Sequence, residues 1–318
     1  MATHHLSASP ETVRWGTFDS AYPPLVTVQS GDTVVLECVS GGPEVMPNPD
    51  GGLAIPPALA AIHRSNLPRA GGHILTGPVG IAGAMPGDML EIRIDKIELG
   101  NDWGYCGFRP LAGTLPEDFH ERFLMHLPVD RARKVCRLPW GTELPLRPFF
   151  GVMGVAPPPA YGTISTIQPR EHGGNLDNKE LTEGTTLFLP VWAEGGLFSA
   201  GDGHGVQGDG EVCINALEIC LTGTFTLILH KGNGPNKPLL AYPRAETATH
   251  FITMGMNEDL DQAMKQAVRE MIRFITGRTN LSREQAYAFS SLAVDFHVTQ
   301  TVNGEKGVHG MLKKGLLF

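Results

Sequence analysis

Five glycines fall within residues 201–211, and three of them, Gly201, Gly203 and Gly205, alternate with Asp202 and His204. Glycine loses more backbone entropy on folding than any other residue, so this density needs a structural reason. The reasons available are a positive φ or an approach of backbone too close for a Cβ. The side chains between the glycines include Asp202, His204, Gln207, Asp209 and Glu211, a set that ligates metals and moves protons. No Ser, Thr, Lys or Pro dilutes it. Such a segment has to be held by a rigid frame, and the rest of the chain reads as that frame.

The frame is rich in turns. Among 318 residues there are 39 Gly and 25 Pro, and charged residues make up 18%, below the usual value of about 25%. This composition fits many short strands. Residues 25–39 read as two β-rich runs around Ser30-Gly31-Asp32, a hairpin signal. Residues 89–97 alternate, with Leu90, Ile92 and Ile94 on one face. The turn Pro86-Gly87-Asp88 repeats the solution of Ser30-Gly31-Asp32. Residues 101–147 read as irregular, with a short helix over 117–127. Residues 149–156 form a buried strand that Pro157-Pro158-Pro159 ends.

Further strands fall at 185–191, 212–218, 223–230, 249–254 and 294–300. Residues 258–276 carry an apolar stripe at helical spacing, with Gly277 as C-cap. Ser282 and Gln285 form a capping-box pattern that opens a second helix, and 57–64 is a short third one. The expected fold is mainly β with C-terminal α-helices and an α/β-type second half. Two domains are expected, a β-rich 1–150 and a second half, 151–318, with the motif loop, strands and two helices.

Several function classes are excluded. A net charge of -8 without a basic run disfavours nucleic acid and anionic membrane as partners. The N-terminus has no apolar h-region and no stretch approaches about 20 apolar residues, so a soluble, unexported, cytoplasmic protein is expected. Five cysteines without a CxxC read as reduced, buried thiols, Cys213 among them on the strand at 212–218. No dinucleotide fingerprint, Walker A motif or nucleophile elbow occurs.

A metal-assisted hydrolysis fits the residues present. In an extended segment Asp202 and His204 share a face, and both can ligate one divalent ion. Asp177 and His73, in other Gly-rich turns, are the further candidate ligands; Asn175 and Gln207 are candidate supporting or substrate-binding groups. Glu211 is the natural general base for water whose pKa the ion lowers to about 7.

Three stretches carry a resemblance to the acetamidase/formamidase family. They are residues 73–78 (His-Ile-Leu-Thr-Gly-Pro) with 83–88 (Gly-Ala-Met-Pro-Gly-Asp), residues 173–177 (Gly-Gly-Asn-Leu-Asp), and the segment 201–211 itself. Ile74 stands where the family usually has Pro. The resemblance implies hydrolysis of a small linear carboxamide to carboxylate and ammonia, a jelly-roll-like β-sandwich and a homo-oligomer.

With that resemblance the assignment becomes Asp177, Asp202 and His204 as ligands of a divalent metal, Zn²⁺ being the expected ion. Glu211 and His73 are the catalytic groups, and Asn175 and Gln207 bind substrate. The expected partner is a small-molecule amide. Trp103, Tyr105 and Phe108, in the stretch without a clear family counterpart, are candidates to line a pocket for a larger or aromatic amide. A hydrolase of a cyclic amide or ester on the same scaffold and a non-catalytic ligand-binding protein stay open. A pure binder, however, has no use for Glu211.

Overall fold

The computed structural model describes residues 1–236 and 238–317. Two large sheets share one core. The nine-stranded sheet runs, in spatial order, Thr3–Leu6, Thr33–Cys38, Leu221–His230, Met89–Leu99, Thr186–Pro190, Arg244–Glu246, His250–Asn257, Lys306–Lys313 and Val294–Gln300. The six-stranded sheet runs Gly173–Asn175, Phe149–Gly154, Phe198–His204, Ile74–Ile81 and Val13–Trp15, with Val26–Val28 paired to Ile74–Ile81. Phe150 and Phe198 of the second sheet meet Phe225 of the first, with ring centroids 5.4 and 5.6 Å apart. Each such buried ring contributes about 1.5–3 kcal/mol from burial alone. The mainly-β expectation is met.

The stretches 1–150 and 151–318 interleave. Leu221–His230 lies between Thr33–Cys38 and Met89–Leu99, so both stretches build the same sheet. Phe149–Gly154 is buried along its whole length because it has a neighbouring strand on each side. It ends at Gly154, two residues short of the expected 156 and before the triple proline.

Helix α1 (Pro57–Arg64) buries Leu59 and Ile62 beside Val13, Trp15 and Ile74. Helices α2 (Leu260–Arg278) and α3 (Arg283–Ala293) pack at the far end of the nine-stranded sheet. α2 approaches strand His250–Asn257 at Gly255, where a Cβ would come within 2.1 Å of the Ala263 carbonyl oxygen. The capping box of α3 is present, with Ser282 and Gln285 exchanging bonds. Among the described residues no helix is long and apolar enough to cross a membrane.

Several local expectations are corrected, the first two because partners distant in sequence override a local signal. The 25–39 hairpin does not form. Its turn is made, with Gly31 at φ 92° and the Asp32 carboxylate accepting from Gln29 N, but its arms enter different sheets. The same turn recurs with Gly87 at φ 96° and Asp88 accepting from Met85 N. Residues 101–147 are not irregular: Trp103–Phe108, Phe123–Asp130, Val135–Arg137 and Glu143–Pro145 form a four-stranded antiparallel sheet, and the helix expected at 117–127 is absent, 117–122 being turn and irregular backbone before the strand starts at Phe123. Residues 212–218 are a turn-rich connection rather than a strand, with Val212 62% exposed. Cys213 on it is consequently only half-buried. Gly277 lies inside α2, which runs on to Arg278 and ends at an extended Thr279.

Candidate active site

Strand Phe198–His204 is completely buried and places Asp202 and His204 at the end of the six-stranded sheet. Its glycines face other backbone. A Cβ at Gly201 would lie 2.3 Å from the Ile74 carbonyl oxygen, and one at Gly203 would lie 2.3 Å from that of Ile219. Their purpose is therefore to seat the strand against its neighbours, not to bring backbone to a substrate. Asp202 itself has φ 57°, Asp177 φ 45° and Glu211 φ 45°. For L-residues this region is costly and is held only where surrounding structure dictates it, most often at functional sites.

Asp177, Asp202, His204, Glu211 and Glu218 are all buried and converge. His204 Nε2 lies 3.3 Å from Asp202 Oδ2 and 3.4 Å from Glu218 Oε1. His204 Nδ1 is 3.8 Å from Asp177 Oδ1 but is already engaged by Gln207 Oε1 at 2.9 Å. Gln207 Nε2 donates to the Asp177 carbonyl at 2.8 Å, which fixes the orientation of the amide. Oε1 can only accept, so Nδ1 carries a hydrogen, and in the neutral ring Nε2 is the nitrogen whose lone pair faces the two carboxylates. Nε2 has no hydrogen-bond partner there, nor do Asp177 Oδ1 and Glu211 Oε2.

A site crowded with acceptors demands a cation or protons. Burial opposes charge on His204, but Glu218 and Asp202 outweigh it and push its pKa well above the usual value. Burial, reinforced by Asp177, raises the Glu211 carboxyl. Burial also raises Glu218 and Asp177, while Asp202 is held low because His73 and His204 outweigh its own burial. Without an ion, protons take the place between the groups.

The residues fit a divalent metal. Two overlapping ligand sets, Asp177–His204–Glu211 and Asp202–His204–Glu218, share the imidazole. A cradle lies against Gly151: a point one Cβ bond from its backbone is 2.5 Å from both Asp177 Oδ1 and Asp202 Oδ2, and 2.9 Å from His204 Cε1. A carboxylate–histidine donor set suits Zn²⁺ and related ions. The Gln207 bond to the far nitrogen is the kind of support that ligating imidazoles usually have.

The cluster opens on a cavity of about 390 Å³. His73, Asn175, Asp177, Asp202, Glu211 and Glu218 all line it. His73 Nε2 lies 3.6 Å from Asp202 Oδ2, and its ring is positioned by Thr166, whose Oγ1 is 3.2 Å from Nδ1. Asn175 donates to the Ile167 carbonyl at 3.1 Å and leaves Oδ1 unpartnered. Gln207, expected to bind substrate, has both polar ends committed to His204 and Asp177 and does not line this cavity. Of the three aromatics suggested for a pocket, Tyr105 lines it; Trp103 is buried with its indole donating to the Ala54 carbonyl. Asp209 lies apart, paired with Lys179 at 2.8 Å.

Two members were not anticipated. Glu218 is a lone acid inside the apolar run 216–221, and a carboxylate in such a run is itself a signal. Asn303 donates to Asp177 Oδ2 at 2.6 Å from an Asn-Gly turn, a pattern that marks the turn but not this contact.

The fold recurs in known proteins. The model of the Acetamidase/Formamidase family matches residues 10–163 and 158–306. An acetamidase from Bacillus halodurans is 33% identical, with a TM-score of 0.83 over 98% of both chains. A predicted acetamidase/formamidase from Thermoanaerobacter tengcongensis is 26% identical, with a TM-score of 0.84 over 100% of this chain and 98% of the other. A formamidase from Methylophilus methylotrophus is 29% identical over 44% of this chain and 47% of its own length, so the match spans about half of that relative. The chain belongs to the acetamidase/formamidase family.

Proposed function

We propose that the protein is a metal-dependent amidohydrolase that converts small linear carboxamides to carboxylate and ammonia. The observation that carries the reading is His204 Nε2, which faces two carboxylates with no hydrogen-bond partner while Gln207 engages the other ring nitrogen. The names acetamidase and formamidase borne by its relatives support the choice of reaction.

Asp202, His204 and Asp177, joined by Glu218, would hold the ion, Zn²⁺ by donor set. When bound, the ion supplies Lewis acidity to an amide carbonyl and lowers the pKa of water to about 7. Glu211 takes the proton from the attacking water. Its raised pKa lets it hold that proton until the leaving nitrogen takes it. Asn175 Oδ1, unpartnered in the cavity wall, accepts from the substrate amide N–H. His73 stands at the mouth, close enough to Asp202 to orient its carboxylate. One water adds and one ammonia leaves, with no redox change.

A second reading concerns substrate size. A cavity of about 390 Å³ walled by Tyr105, Ile214 and Val302 is larger than formamide or acetamide fills, which favours amides with a bulkier acyl group. Ammonia release across formamide, acetamide, aliphatic and aromatic amides, with zinc-loaded and metal-free protein, tests both readings. Equal turnover without metal removes the first. Turnover confined to formamide and acetamide removes the second.

A further inference from the structure

We propose that Cys106 and Cys213 form an oxidisable dithiol pair, closed to a disulfide by a hydroperoxide, that acts on the turn carrying Glu211. The functional consequence rests on the hydrolase reading; the chemistry of the pair does not. Cys106 lies on strand Trp103–Phe108 and Cys213 on the connection after Glu211, 107 positions apart in sequence. Their sulfurs are 3.8 Å apart. Both point at one acceptor, the Asn215 carbonyl oxygen, at 3.8 Å from Cys106 and 3.4 Å from Cys213. The side chains are therefore already turned toward each other.

The other three cysteines contrast with the pair. Cys38, Cys136 and Cys220 are buried, whereas Cys106 and Cys213 are half-buried. The pair lines a mostly apolar cavity of about 480 Å³ with Trp140 and Val212, which are 67% and 62% exposed. A small neutral oxidant such as hydrogen peroxide reaches the sulfurs by that route. One thiolate attacks the peroxide, giving a sulfenic acid and releasing water after proton uptake; the second thiol displaces a further water as the S–S bond forms. Two thiols and one peroxide give one disulfide and two waters, with sulfur oxidised and peroxide reduced.

Closure must move the connection. A disulfide is about 2.05 Å long, so the sulfurs have to approach by roughly 1.8 Å. Cys213 stands between Glu211 (φ 45°) and Ile214 (φ 83°), two left-handed residues. Both also line the catalytic cavity. Asn215, the shared acceptor, donates from its side chain to Glu218 Oε1 at 3.4 Å. A pull on Cys213 thus reaches two carboxylates of the cluster, and a misplacement of about 1 Å at a catalytic group costs up to about 100-fold in rate.

The test treats the zinc-loaded full chain with hydrogen peroxide, then follows intact mass, peptide mapping, amide exchange of residues 211–215 and ammonia release. The expected result is loss of two hydrogens per chain, a Cys106–Cys213 link, altered exchange at 211–215, and turnover lowered by roughly tenfold to a hundredfold until a dithiol reductant restores it. Cys106→Ser and Cys213→Ser keep basal turnover and lose the reversible response. Sulfinic or sulfonic products without a link, or a link through another cysteine, overturn the pair. A link that leaves exchange and turnover unchanged overturns its action on Glu211. If the reduced protein hydrolyses no amide, the hydrolase reading has failed, while mass and exchange still decide the pair.

Discussion

Gly151 sits opposite Asp202 in the register that pairs Phe150 with Gly203 and Val152 with Gly201, and a Cβ at residue 151 would lie 2.5 Å from Asp202 Oδ2. It would lie equally close to Asp177 Oδ1. The position needs glycine for space, not for φ. Gly151→Ala is expected to place a methyl group in the cradle between the ligands, with an overpacking cost of about 1–3 kcal/mol. Metal content measured with the melting temperature checks this: the variant stays folded and binds little or no zinc.

Gln207 holds the imidazole of His204 through Nδ1 and the Asp177 backbone through its other end. Gln207→Ala is expected to weaken metal affinity by about 10–100-fold, the usual cost of removing such a support. Competition against a chelator of known affinity measures it. A fall in KM-dependent substrate recognition with unchanged metal affinity would instead make Gln207 a substrate-binding residue.

Glu211→Gln removes the proposed proton carrier and keeps the shape. Turnover is expected to fall by about 10²–10⁴-fold. Zinc content should stay near that of the parent protein if Asp177, Asp202, His204 and Glu218 hold the ion. Metal analysis beside ammonia release separates this from a ligand role, in which both would fall together.

His172 is fully buried with both ring nitrogens unpartnered, and burial, aided by nearby Arg170, pushes its pKa down to about 3. The unfolded chain takes up a proton below about 6.5 that the folded chain refuses. Stability from this group is therefore fully present above about pH 6.5 and declines as the pH falls toward 3. Denaturant titrations from pH 7 to pH 4 on the parent and on His172→Gln are expected to show a shallower acid decline in the variant. Parallel declines would refute the assignment.

The motif at 201–211 was legible because its residue types are chemical. Asp202, His204 and Glu211 have side chains that ligate metals or move protons, and the same reasoning picked out Asp177, which the fold brings beside them. The capping box at Ser282 and Gln285 was legible because its bonds close within four residues. What escaped was non-local. Val26–Val28 and Thr33–Cys38 look like hairpin arms, but the partners that separate them lie near residues 79 and 225. The strand at Phe123–Asp130 depends on an edge supplied by Trp103–Phe108. Asn303 reaches Asp177 across 126 positions, and no local pattern announces it.

We propose that the buried cluster around His204 binds an ion needed for amide hydrolysis. Ammonia release from acetamide, measured on metal-stripped protein and again after stoichiometric zinc, tests it most directly. The account predicts negligible turnover in the stripped protein and recovery as zinc fills one site per chain. Full turnover by protein shown to be free of metal would contradict it.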